Sequence, residues 1–202
     1  VPYAVARENA CALPWEAPGF SAPRVFDRQV FDGFDLTEIR EYIDWSPFFW
    51  AWDLRGSYPR ILDSAKVGAQ ARSLLNDAQA MLDRMVAENR VHPRAVIGSW
   101  SAQSDGDTVI LYEDSTARVE AGRFEFLRQQ KDKDGREPNF SLADFIAPRQ
   151  TGLVDTIGAF AVTCGPEVED FARSFKADGD DYQAILVQAL ADRLAEAFTE
   201  LL

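Results

Sequence analysis

The sequence predicts an α+β fold in which helices flank an antiparallel sheet. Apolar side chains recur at helical spacing in two long segments, 64–88 and 180–202. Between them, strand-like segments at 95–100 and 108–112 are separated by the turn sequence SDGD, which is typical of two antiparallel strands. A continuous apolar run at 157–164 predicts a further, central strand. These three observations together define the fold class.

Several short elements precede the first long helix. Residues 1–24 are rich in proline, which predicts an irregular, linker-like segment. Partial alternation at 25–31 predicts an edge strand. Asp35, with a glutamate three residues later, predicts a capped start for a short helix that continues through Ile43. Ser46-Pro47 predicts another helix start, with serine as the cap and proline in the first turn.

The helix at 64–88 has the clearest periodicity, and His92-Pro93 marks the end of the segment. We interpret His92 as a cation at the carboxyl end of this helix rather than as a catalytic base. The apolar positions form one stripe, which consists of Val67, Ala71, Leu74, Leu75, Ala78, Met81, Leu82, Met85 and Val86.

The second half of the chain alternates strands with short helices. Partial alternation at 119–127 predicts a third strand, and the charged run at 131–139 predicts a loop. Ser141 predicts the cap of a helical turn, and Gly165-Pro166 opens a helix. The last helix begins after Asp180, and its predicted buried stripe consists of Tyr182, Ile185, Leu186, Ala189, Leu190, Leu194, Phe198, Leu201 and Leu202.

Composition limits the classes of function. A chain of 202 residues that is 47% hydrophobic has enough apolar material for a stable core, and we expect one domain, with two small lobes as the alternative. The net charge of −12 argues against nucleic acid or an anionic membrane as a partner. No apolar run approaches the roughly 20 residues that span a bilayer. Two cysteines without CxxC spacing favour a reducing, cytoplasmic location.

Common catalytic motifs are missing from the sequence. There is neither a GxxxxGK[ST] nor a GxGxxG segment, and His92 is the single histidine. No catalytic or metal-ligating residue is therefore assigned. Cys164 stands just before a helix start, where a thiol can become reactive. The alternative, a small buried residue that closes a strand, is the interpretation we favour because cysteine is among the most buried residue types.

Two groups of carboxylates call for an explanation. Asp192, Glu196 and Glu200 follow one another at four-residue spacing near the end of the last helix, where like charges and the helix dipole disfavour them. They are either plain solvated surface or part of a site for a cation. Asp44 lies among large aromatic residues and either caps a helix, is paired, or contacts a cationic ligand.

Three segments resemble one family, the activation domain of cobalamin-dependent methionine synthase. YIDWSPFFWAWDLRGSYPRIL (42–62) is similar to the family's aromatic-rich signature. SLADFIAPRQTGLVDTIGAFAVTCG (141–165) and DDYQAILVQALADRLAEAF (180–198) resemble two further blocks. The resemblance covers most of the chain from about Asp35. It implies a C-shaped α+β domain with a twisted antiparallel sheet, occupying 25–202 behind the linker-like segment.

The resemblance also implies a function and a binding site. It implies reductive remethylation of cob(II)alamin with S-adenosylmethionine as methyl donor, in methionine biosynthesis. The cobalamin would be carried by a partner module, and a flavodoxin-type reductase would be a second partner. Residue by residue, the S-adenosylmethionine contacts carried over are Asp44 and Glu196. The chain would act as part of a methyltransferase and would not turn over homocysteine alone.

One family segment is missing. The family's RxxxGYxxxP signature lies downstream of the last helix, and it occurs nowhere in these 202 residues. We therefore expect a truncated or short form of the domain. The alternative function is a non-catalytic docking module for a cobalamin-binding partner that no longer binds S-adenosylmethionine.

Overall fold

The computed structural model describes residues 1–15 and 28–202. Its helices are α1 Tyr3–Glu8, α2 Leu36–Ile39, α3 Trp45–Ala51, α4 Gly68–Ala87, α5 Glu167–Ala177 and α6 Asp181–Leu201. Its strands are β1 Gln29–Asp32, β2 Arg94–Asp105, β3 Thr108–Tyr112, β4 Glu120–Glu125 and β5 Asp155–Thr163. Short 3₁₀ helices lie between these elements, at Arg40–Tyr42, Arg60–Asp63, Leu142–Phe145 and Arg149–Thr151. The predicted α+β class is confirmed.

The strands form one sheet in the order β1-β2-β3-β4, and β5 pairs with β2. β2 and β3 are antiparallel, with Ser101 opposite Tyr112 and Asp105 opposite Thr108. This register leaves a two-residue turn whose first residue, Gly106, has a φ of 65°. Such a turn requires a positive φ, which glycine adopts without steric cost. The predicted hairpin is therefore confirmed, and β2 extends five residues beyond the predicted end.

The chain forms two compact units. Unit 1 contains Val1–Gln29 and Ile97–Phe160, and unit 2 contains Val30–Val96 and Ala161–Leu202. The predicted division into a linker at 1–24 and a domain at 25–202 stays a prediction. The irregular conformation predicted for the amino terminus is wrong for 3–8, which form α1. Residues 16–24, and the first three residues of the strand predicted at 25–31, lie outside the described residues.

Unit 1 combines a small apolar core with a buried ion network. Arg128 donates hydrogen bonds to Asp107 and Asp144, and only 2% of its side chain is exposed. Hydrogen bonding to Asp144 raises the pKa of Arg128 above its ordinary value. α1 joins this network because the Tyr3 hydroxyl donates to Asp107 Oδ2 at 2.8 Å. The predicted cap at Ser141 is confirmed, with a capping box to Asp144.

Unit 2 contains the larger core, which α4, α5 and α6 form with α2 and α3. The α4 stripe is confirmed from Ala71 to Met85. The prediction for α6 is wrong at both ends, since Tyr182, Ile185 and Leu202 are 39%, 51% and 39% exposed. Near the amino-terminal end, Ala184 and Val187 are buried instead. Contacts with the neighbouring helices, rather than the size of the side chain, therefore decide which residues of α6 are buried.

Three other sequence predictions need correction. Ser46 does not cap α3, because Asp44 does. The run at 157–164 is not a uniformly buried central strand, since Phe160 is 59% exposed and β5 pairs with β2 alone among the described strands. His92 lies five residues beyond the end of α4, with its Nδ1 3.7 Å from Glu167 Oε1, so it does not cap that helix.

We predict that Arg128→Met destabilises the fold by about 3–5 kcal/mol, because it leaves two buried carboxylates without a cation. Urea unfolding followed by fluorescence measures the change. The matched control is Arg123→Met, since the Arg123–Glu120 ion pair is 54% exposed on the arginine side and should contribute far less to stability. Equal losses in both variants would contradict the structural role given to Arg128.

Candidate functional site

Helix α6 organises unit 2. Asp180 caps it by accepting a hydrogen bond from the Gln183 amide at 3.0 Å. Eight of its side chains are buried: Ala184, Leu186, Val187, Leu190, Ala191, Leu194, Ala197 and Phe198. This stripe faces α4 and α5 and the segment that contains α2 and α3. The acidic ridge is thereby left on the outside of the helix.

The aromatic segment 34–52 runs along α6 in the opposite direction. At one end, the rings of Phe34 and Phe198 lie 5.0 Å apart. At the other end, the rings of Trp52 and Tyr182 are 5.4 Å apart. Asp44 lies between these two contacts, at the start of α3. The fold therefore brings the element that carries Asp44 against the helix that carries Glu196.

Asp44 caps α3, which confirms one of the roles considered for it. Its Oδ1 accepts a hydrogen bond from the Ser46 amide at 2.9 Å. The residue is exposed, and Oδ2 has no hydrogen-bond partner within the described part of the chain. One oxygen thus fixes the carboxylate, and the other can accept a hydrogen bond from a ligand.

Glu196 lines a groove on the outer side of α6. The groove has a volume of about 410 Å³ and is lined by Val162, Asp192, Arg193, Ala195, Glu196 and Thr199. The Glu196 side chain is 73% exposed, and its Oε1 lies 3.9 Å from Arg193 Nη2, which is a weak ion pair. Asp44 is not among the lining residues. The two predicted site residues are thus on packed elements but not in one closed pocket.

Asp192, a member of the acidic ridge that the family resemblance does not carry over as a ligand contact, also lines the groove. It and Glu196 are one turn apart, so their like charges repel, and Arg193 offsets only part of that charge. The groove therefore favours a cation. The four-residue spacing of the acidic ridge was the available signal. Glu200, the third member of the ridge, is exposed and does not line the groove.

Cys164 has the environment of a structural thiol. It is 6% exposed, and its Sγ donates a hydrogen bond to the Ala191 carbonyl at 3.1 Å. Burial, with a smaller effect from the charge of Asp192, raises the pKa of the Cys164 thiol to about 12. Because the thiolate is the nucleophile, this residue is unreactive at neutral pH. The interpretation of Cys164 as a buried residue at the end of a strand is confirmed.

Two kinds of feature are missing from the described residues. Across 1–15 and 28–202, no group of three histidine, cysteine, aspartate or glutamate side chains is arranged to hold a metal ion. Within the same ranges, no helix has both the length and the apolar character needed to cross a bilayer.

Fold and site together define an α+β protein with an acidic groove on the outer side of α6. The chain belongs to the family of vitamin B12 dependent methionine synthase activation domains, whose family model matches residues 35–202. It is similar to the crystal structure of the MetH reactivation domain bound to AdoHcy, with 43% sequence identity and a TM-score of 0.94. That match covers all of this chain and 61% of the other chain. The family resemblance read from the sequence is confirmed.

We predict that iodoacetamide modifies Cys11 but not Cys164 in the native protein at pH 8. Cys11 is half-buried, and Cys164 is buried with its pKa raised to about 12. Mass spectrometry of timed samples measures both sites, and unfolding in urea should make Cys164 reactive. Rapid modification of Cys164 in the native chain would show that it is a reactive thiol after all.

Proposed function

We propose that this chain supports the reductive reactivation of a cobalamin-dependent methionine synthase and binds S-adenosylmethionine for that purpose. The observation that carries the proposal is a pair of exposed carboxylates, Asp44 and Glu196, on packed elements of a family member. The similar MetH structure is bound to AdoHcy, which is the product S-adenosylmethionine becomes when its methyl group leaves. The ligand is thus of the same chemical class.

The two carboxylates suit the charges of this ligand. S-adenosylmethionine carries an ammonium and a sulfonium group, both of which interact favourably with carboxylates. Asp44 is held by its cap, so it reaches the ligand with little loss of conformational entropy. Glu196 is held only by the weak contact to Arg193 and must exchange that contact for the ligand. Each charged hydrogen bond contributes about 1.5–3 kcal/mol.

When bound, the sulfonium supplies a methyl group that is transferred, with one electron, to cob(II)alamin on a partner module. The residues of this chain hold and orient the donor. We propose the cobalamin-binding module as the main partner, a flavodoxin-type reductase as the electron source, and the cytoplasm as the location. The net charge of −12 favours a partner with a basic face. The two free cysteines are compatible with a reducing compartment.

Thermal unfolding with and without S-adenosylmethionine tests the proposal. A ligand at a hundred times its Kd adds about 2.7 kcal/mol of stability. For a chain of this size, that corresponds to a rise in Tm of about 5–10 °C. We predict such a rise for the wild-type chain at millimolar ligand, and its loss in Asp44→Asn combined with Glu196→Gln. Asparagine can still cap α3, so the double variant should keep the fold.

The matched control is Glu200→Gln, which removes a carboxylate of the same helix outside the groove. It should keep the full increase in Tm. The absence of any increase in the wild-type chain would contradict the proposal. If the chain then still bound a cobalamin module, the alternative function, a docking module without S-adenosylmethionine, would be favoured. An increase that persisted in the double variant would show that other residues bind the ligand.

A further inference from the structure

A cavity in unit 1 has no part in the proposed function. Its volume is about 490 Å³, within the range of about 300–1,000 Å³ that is usual for small-molecule sites. Six of its lining residues carry groups that can contact a ligand: Arg28, Trp100, Ser101, Tyr112, Glu113 and Asp114. All six belong to unit 1, whereas Asp44 and Glu196 belong to unit 2. The cavity therefore shares no residue with the site proposed above.

Strands β2 and β3 provide a buried hydroxyl in the wall of this cavity. Ser101 and Tyr112 lie directly opposite each other in the antiparallel pair, so their side chains share one face of the sheet. Tyr112 is fixed there by the hydrogen bond that its hydroxyl donates to Gln103 Oε1 at 3.0 Å. Ser101 is only 3% exposed, and its hydroxyl has no hydrogen-bond partner within the described part of the chain. A buried hydroxyl without a partner costs free energy, which a polar ligand group that bonds to it would recover.

Opposite charges line the same cavity without neutralising each other. Arg28 is exposed and forms no ion pair with any described residue. Asp114 Oδ1 accepts hydrogen bonds from the Thr116 hydroxyl and, at 2.7 Å, from the Thr116 amide, which leaves Oδ2 without a partner among the described residues. These bonds, the hydroxyl's first, hold the pKa of Asp114 below its ordinary value. The cavity thus presents a free guanidinium and a fixed, ionised carboxylate, to which Glu113 adds a second negative charge.

This set of groups is complementary to a small zwitterion. A guanidinium binds a carboxylate through two parallel hydrogen bonds, and a carboxylate binds an ammonium through a charged hydrogen bond. A purely anionic ligand would be repelled by the two carboxylates, and a purely cationic one by the guanidinium. Trp100 and Tyr112 add aromatic residues to the lining, which suits an apolar side chain. A free α-amino acid combines a carboxylate, an ammonium and such a side chain in one molecule.

We infer that this cavity is a binding site for a free α-amino acid with an apolar side chain. Arg28 and the Ser101 hydroxyl bind the carboxylate of the ligand, and Asp114 binds its ammonium. Satisfying the Ser101 hydroxyl and neutralising the unpaired charges both favour the bound state. The inference does not depend on the proposed function, because it rests on different residues.

Titration of the whole chain with L-phenylalanine, followed by ligand-observed NMR, tests the inference. The wild type should bind this probe with a Kd in the millimolar range, as expected for so small a ligand. Two derivatives test the charged ends on the unaltered protein, since N-acetyl-L-phenylalanine lacks the ammonium and L-phenylalanine methyl ester lacks the carboxylate. Each should bind about ten- to a hundredfold more weakly than L-phenylalanine, because each loses a charged hydrogen bond.

Substitutions assign each end of the ligand to its residue. Asp114→Asn should weaken the binding of L-phenylalanine by the same factor without further weakening that of the N-acetyl derivative, and asparagine can keep the turn. Arg28→Gln should do the same with respect to the methyl ester. The matched control is Asp132→Asn, because Asp132 Oδ1 also accepts from the amide two residues on, at 3.1 Å, and Asp132 is not among the described lining residues. It should leave the Kd unchanged, and circular dichroism checks that each variant is folded.

Three results would overturn the inference and leave the proposed function standing. The first is a wild type that does not bind L-phenylalanine even at high millimolar concentration. The second is equal binding of L-phenylalanine and its two derivatives, because the charged ends would then not be recognised. The third is loss of L-phenylalanine binding in the variant that combines Asp44→Asn with Glu196→Gln, because the amino acid would then occupy the site proposed for S-adenosylmethionine. The inference predicts that this double variant binds L-phenylalanine as the wild type does.

Discussion

The burial of α6 is the constraint on which the rest of unit 2 depends. Its eight buried side chains must be covered, and α4, α5 and the segment 34–52 cover them. Once that stripe is fixed, helical geometry leaves Asp192 and Glu196 on the outer side. The same packing draws the aromatic segment, and Asp44 with it, along the helix. The packing of the α6 stripe in the core therefore also determines where the acidic side chains lie.

The cap that Asp44 forms on α3 also supports the ligand-binding role proposed for it. As a cap, its Oδ1 satisfies a backbone amide that would otherwise be unpaired at the start of α3. The cap also restricts the rotation of the side chain, which holds Oδ2 toward solvent. Glu196 contrasts with it, because a 3.9 Å contact to Arg193 leaves that side chain free to adjust. A fixed carboxylate and an adjustable one can together accommodate a ligand whose two cationic groups are joined by a flexible chain.

The sequence predicted most of the elements but not their exposure. Periodicity located α4, α5, α6, β3 and the hairpin turn, because local spacing determines which residues can share a face. It misplaced the amino-terminal part of the α6 stripe, since apolar Ile185 and small Ala184 are equally compatible with the period and only the neighbouring helices decide between them. Asp44 and Glu196 came from the family resemblance and from their unfavourable surroundings. The sequence identified Asp192 only as a member of the acidic ridge, because the groove that it lines with Glu196 exists only in the folded chain.

A double-mutant cycle tests most directly whether Asp44 and Glu196 bind the same ligand molecule. The affinity for S-adenosylmethionine would be measured for the wild type, Asp44→Asn, Glu196→Gln and the double variant. If both carboxylates hold one molecule in a single pose, the two losses are not additive, and the coupling free energy is about 0.5–3 kcal/mol. Strictly additive losses, or a loss in only one single variant, would contradict a shared site on the two elements.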